Sequence, residues 1–70
     1  MKPQIVIEIR GGNIITLSSN VDLDYVVVDY DNINTGEYGI ELCPPDYISD
    51  DPAIAIDDEA LAFDVRQLLQ

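Results

Sequence analysis

From Gly11 to Val65 the chain contains no lysine, arginine or histidine, yet that stretch holds 13 of its 14 acidic residues. Only Lys2, Arg10 and Arg66 oppose them, so 70 residues carry a formal net charge of −11. A domain this small cannot keep so many carboxylates apart, and much of its surface must form one negative field. Such a field works against compactness through self-repulsion, repels nucleic acid and anionic membrane, and attracts basic protein surfaces. The expected partner is a basic protein surface, with no direct contact to nucleic acid and none to a membrane.

Seventy residues make a single domain, 1–70, near the size at which one core becomes marginal. Charge alone would suggest disorder. Against that, 47% of the residues are hydrophobic, an apolar content that disordered acidic tails lack. No apolar run is long enough to span a bilayer, and the opening Met-Lys-Pro-Gln lacks the apolar stretch of a signal peptide. Cys43 is alone, so no internal disulfide staples the fold and a reducing compartment fits. The expectation is a cytoplasmic protein, monomeric or a small homo-oligomer.

Gln4 to Arg10 (QIVIEIR) alternates as a strand, with Ile5, Ile7 and Ile9 on one face and Val6, Glu8 and Arg10 on the other. Gly11-Gly12 supplies the positive φ of a tight hairpin, and Asn13 to Ser18 returns. A three-residue loop, Gly11 to Asn13, would pair Ile9 with Ile15, Ile7 with Leu17 and Glu8 with Thr16. That register gives one clean apolar face and is preferred over a two-residue loop. Ser18 to Asn20 reads as a turn. Leu23 to Asp31 (LDYVVVDYD) is the strongest strand signal, Asn32 to Gly36 a loop, and Tyr38 to Leu42 a short fourth strand ended by Pro44-Pro45. Residues 46 to 52 read as acidic loop. The spacing of Leu61, Val65 and Leu68, with Leu69 alongside, predicts a helix over 57–69, capped by Asp57 and closed near Arg66. The fold class is α+β: a small antiparallel three- to four-stranded meander with one C-terminal helix over its apolar face.

The segments IVIEIRGG at residues 5 to 12 and VVVDYD at residues 26 to 31 resemble a group of small uncharacterised proteins of bacteria, phages and mobile elements. Those proteins also open with an Ile/Val-rich strand ending in Arg-Gly-Gly, followed by a strand ending in Asp-Tyr-Asp or similar. The resemblance covers the first 31 residues and implies genomic company: accessory proteins of mobile DNA, a class in which inhibitors of host defence are common. On that footing the compartment is a bacterial host cytoplasm.

Catalytic chemistry finds little support. There is no histidine to act as a general base near neutral pH, and Cys43 has neither histidine nor lysine near it in sequence, so an ordinary half-buried thiol is the simpler reading. Asp29 and Asp31 could open a calcium loop, but positions five, six and twelve would then be Ile33, Asn34 and Ile40, which is not an EF-hand. The expectation is a protein that is not an enzyme and needs no cofactor or metal.

The tyrosines carry more. All four follow an acid: Asp24-Tyr25, Asp29-Tyr30, Glu37-Tyr38 and Asp46-Tyr47. One reading has the rings completing the core while the acids solvate the outside. The other is an interface, because tyrosine gives large contact area at low entropic cost and spaced carboxylates can imitate a phosphate backbone. The candidate partner-binding residues are Asp24, Tyr25, Asp29, Tyr30, Asp31, Glu37 and Tyr38. The function expected from them is inhibition of a nucleic-acid-binding defence protein by mimicry. The alternative is a small acidic adaptor, antitoxin or assembly subunit that binds a basic partner without imitating nucleic acid.

Overall fold

A computed structural model describes residues 2–70. The chain runs β1 (Ile5–Arg10), β2 (Asn13–Ser19), β3 (Tyr25–Val28), α1 (Tyr30–Asn34), β4 (Ile40–Cys43), β5 (Tyr47–Ile48) and α2 (Glu59–Leu69). The α+β class and the C-terminal helix stand as expected. The strands, however, divide into two sheets, β1-β2-β5 and β3-β4, and not into one meander.

Gly11 and Gly12 take φ of +59° and +79°, the two left-handed positions of a type I′ turn, whose twist matches that of the strands it joins. The loop is therefore two residues and not three, with Arg10 opposite Asn13 and Ile9 opposite Ile14. A bulge between Glu8 and Ile9 then restores the pairs Glu8–Thr16 and Ile7–Leu17. The expected register holds beyond the bulge because an extra residue in β2, not in the loop, absorbs the offset.

Ser18 and Ser19 continue β2 and are fully buried, where a turn had been expected. Buried polar residues need partners, and the next residues supply several. The Asn20 side chain accepts from the Gln4 N–H and donates to the Lys2 carbonyl, both at 2.9 Å, while Ser19 Oγ accepts from the Val21 N–H. Ser18 Oγ has none among the described residues.

The chain then leaves this sheet at Asn20 and builds β3, α1 and β4. Strand β3 stops at Val28, three residues short of expectation, because Asp29 becomes a helix cap. Its Oδ1 accepts from the Asp31 and Asn32 N–H groups at 3.0 and 3.2 Å, so a helical turn stands where strand end and loop were anticipated. Beneath it Gly39 is buried, and a Cβ there would meet the Asp29 carbonyl and the Ile33 side chain. Strand β4 pairs antiparallel with β3, Tyr25 opposite Cys43.

Asp46 brings the chain back. Its N–H donates to the Leu17 carbonyl and its Oδ2 accepts from the Leu17 N–H, both at 2.8 Å. Tyr47 and Ile48 then pair parallel to Ser18 and Ser19, a short strand inside the segment taken for acidic loop. The final helix begins one residue later than its expected cap: Asp58, not Asp57, accepts from the Ala60 and Leu61 N–H groups at 3.0 and 3.2 Å.

The core is small. Among the described residues Leu17, Ala53 and Ala62 are buried, with Pro52 beside Ala53. The inward stripe of α2 is Ala62, Val65 and Leu69, shifted from the expected Leu61, Val65 and Leu68, and Leu68 is 85% exposed. The faces of β1 are also reversed. Val6 and Glu8 are half-buried, while Ile5, Ile7 and Ile9 are 47%, 52% and 67% exposed. In β3 the half-buried side is Tyr25 and Val27, with Val26 and Val28 outward. The radius of gyration is 13.7 Å, against about 11 Å for a compact domain of this length. The accessible surface is 5317 Å², against about 4,400 Å² for its mass.

Candidate functional site

All seven candidate residues lie on the excursion between Asn20 and Asp46, and they do not form one cluster. Asp29, Tyr30 and Asp31 come together at the start of α1. Together with Val27 and Val28 they face the hairpin turn at Gly12, Asn13 and Ile14 across an open cleft of about 310 Å³. That volume lies at the lower limit for small-molecule sites and fits one long side chain. Asp31 is exposed in the first helical turn, and Tyr30 is 70% exposed. Asp29 is half-buried and committed through Oδ1 to capping.

The other four are placed differently. Asp24 precedes β3 and is exposed. Glu37 and Tyr38 follow the left-handed Gly36, and Tyr38 is 85% exposed. Tyr25 differs: it is half-buried and stands opposite Cys43 across the strand pair. Burial raises its phenol above the ordinary range, and the charges of Cys43, Asp46 and Glu41 push the same way. Burial, with Glu41 nearby, likewise holds the Cys43 thiol protonated above its usual range, the reverse of what a nucleophile needs. Of the four acid–tyrosine pairs, only Tyr25 plays a packing role.

Charge compensation is sparse. Among the described residues one ion pair forms, Arg66 to Asp51, with Nε and a terminal nitrogen both engaged and the shortest contact 2.7 Å. Asp51 Oδ1 also accepts from the Ala53 N–H. The Arg66 guanidinium holds the Asp51 carboxyl below its ordinary range. This bridge ties α2 to the turn before it and was not foreseen from sequence, since nothing local marks a partner 15 residues away. No three Asp, Glu or Cys side chains among the described residues converge as a metal centre requires.

A second groove, about 280 Å³, runs along β1 beside α2 and is lined by Val6, Ile7, Glu8 and Ile9 on the strand side and by Ile56, Leu61 and Val65 on the other; it is open, and Ile7 and Ile9 remain 52% and 67% exposed. Glu8 Oε1 is buried there without a hydrogen-bond partner among the described residues. No helix among the described residues is long and apolar enough to cross a membrane. Comparison with protein-family models, curated proteins and solved structures finds no match, so function rests on the residues themselves.

Proposed function

We propose that the protein is a non-enzymatic acidic inhibitor. It occupies the basic surface of a nucleic-acid-binding protein, a defence factor of a bacterial host, in the host cytoplasm and in place of nucleic acid. The observation that carries this reading is the cleft between α1 and the hairpin turn. Asp31 and Tyr30 offer a free carboxylate and an exposed ring at its mouth. A guanidinium or ammonium group is attracted by both, through a charge-assisted hydrogen bond and a cation–π contact. Exposed Asp24, Glu37 and Tyr38 extend the same chemistry along the excursion.

The molecule is 41 Å long and carries −11, about one charge per 3.7 Å, which is roughly half the density of a DNA duplex at one charge per about 1.7 Å. That density suits a basic groove built to follow phosphates, and competition with a duplex separates mimicry from simple charge complementarity.

The test is competition between the protein and a labelled duplex for the affinity-captured partner. Mimicry requires each to displace the other, and raised salt should weaken the complex. Asp31→Lys should weaken binding at least tenfold through like-charge juxtaposition while leaving the fold intact. If the protein binds while the duplex stays bound, the adaptor reading replaces this one.

A further inference from the structure

We infer that strand β1 is the seam of a symmetric homodimer in which two copies join their sheets edge to edge, antiparallel, with Ile7 on the two-fold axis. This goes beyond the partner reading and uses a different part of the molecule.

β1 is the outer strand of its sheet, and its hydrogen-bonding direction can be fixed. The Asn20 N–H donates to the Gln4 carbonyl, and the Gln4 N–H donates back to the Asn20 side chain, so Gln4 faces β2. In an antiparallel ladder the direction alternates residue by residue. Val6 and Glu8 therefore bond to β2, and the N–H and C=O groups of Ile5, Ile7 and Ile9 point away from it. The same three side chains form the exposed apolar row. Free backbone groups beside a β-branched apolar row are what another strand pairs with.

Charge selects both the edge and the occupant. Strand β3 is flanked by Asp24 and Asp29, β4 contains Glu41, and β5 lies between Asp46 and Asp50. Each repels a chain that is itself strongly acidic. Only β1 escapes, since residues 2–10 carry Lys2 and Arg10 against Glu8. Two copies of a −11 chain can approach through the one stretch that is not negative.

Charge also selects the register. With Ile7 opposite Ile7, Ile5 lies opposite Ile9, Arg10 opposite Gln4 and Glu8 opposite Val6. All three outward-bonding residues then exchange hydrogen bonds with their counterparts. A two-residue shift one way sets Glu8 against Glu8; the other way sets Arg10 against Lys2. Both bring like charges face to face, which strand pairs disfavour. A one-residue slip puts donors where no acceptor faces them and sends the isoleucines to opposite sides. The closed two-fold leaves no β1 edge free and so ends assembly at two copies.

Sedimentation equilibrium of the full chain should give about twice 7.8 kDa, with tighter association at 0.5 M than at 0.15 M NaCl as repulsion is screened. A complex with a basic partner responds to salt in the opposite sense, so failure of either proposal can be told from failure of the other. Ile7→Lys and Ile7→Glu should each give monomers, and their equimolar mixture should restore the dimer. Leu68→Lys, on the exposed side of α2, should leave it unchanged. A second variant does not depend on how Ile7→Lys folds. In a Cys43→Ser background, Ile7→Cys should oxidise to a covalent dimer, because the Cα separation of a hydrogen-bonded pair, about 5.5 Å, suits a disulfide. Leu68→Cys should not. A monomer throughout the micromolar range, a dimer indifferent to Ile7→Lys, or cross-linking at Leu68 as efficient as at Ile7 overturns the inference. So does an open-ended assembly dissolved by salt, which would mean that β1 pairs with the acidic edge of β3.

Discussion

Asp46 separates two kinds of acid in this protein, and replacing it gives the sharpest test of how the fold is held. Its carboxylate accepts from the Leu17 N–H at 2.8 Å, and Leu17 is 2% exposed, so Asp46→Ala removes a charge-assisted acceptor from a donor held in the core. A hydrogen bond to a charged group contributes about 1.5–3 kcal/mol, and a buried unpaired donor costs about 1–3 kcal/mol. A destabilisation of about 2 kcal/mol is expected. For a domain of this size each kcal/mol moves the melting temperature by roughly 4–8 °C, which gives a fall of about 8–16 °C by calorimetry at fixed chain concentration. Asp46→Asn retains an oxygen acceptor and should lose about half as much. Asp24→Asn removes an exposed acid whose side chain has no hydrogen bond among the described residues, and should leave the melt level or slightly raised, because it only relieves repulsion. Equal melting of Asp46→Ala and wild type, or an equal fall in Asp24→Asn, would refute the distinction between clamping and repelling carboxylates.

Three further outcomes are expected. Melting temperature should rise from low to moderate NaCl, since among the described residues one ion pair forms against 14 acids in the sequence and screening acts within about 10 Å; a flat response would mean that the acids are already neutralised. Asp51 titrates below its ordinary range because Arg66 binds the ionised form. Its stabilising contribution is therefore present above the unfolded carboxylate range of about pH 4 and disappears as pH falls through the lower folded value, and Arg66→Gln should flatten the acid limb of a melting profile between pH 5 and 2. Asp58→Ala should cost about 1 kcal/mol as a lost cap, whereas Asp57→Ala should change little; urea midpoints distinguish the two, and a reversal of their order would contradict the cap at Asp58.

The α+β class and the terminal helix were legible because their signals are local: strand alternation, a glycine pair, and acids before an apolar repeat. The division into two sheets was not. It depends on Tyr47 and Ile48 pairing with Ser18 and Ser19, and two residues carry no readable pattern of their own. Alternation also shows that a strand has two faces without showing which is covered. Ile5, Ile7 and Ile9 are the more apolar set, yet Val6 and Glu8 are the half-buried ones. At the candidate site the acids and tyrosines were found, but Asp29 was placed at a strand end. The signal that would have corrected it is the one used at the C-terminus, an aspartate followed by an acid in the next turn. Strong valine alternation just before it concealed the cap.

The departure at Asn20 and the return at Asp46 have a consequence for how such a chain can change over time. The two points lie about 11 Å apart, three strand residues along and one strand spacing across. Twenty-five residues bracketed so closely are free to lengthen, shorten or be replaced at little entropic cost, provided that Asp46 still reaches Leu17. All seven candidate contact residues lie on that segment. The hairpin, the short parallel strand and the helix act as a mount, and the acidic segment as an interchangeable head. Selection could remodel that head against a changing target while the mount stays as it is.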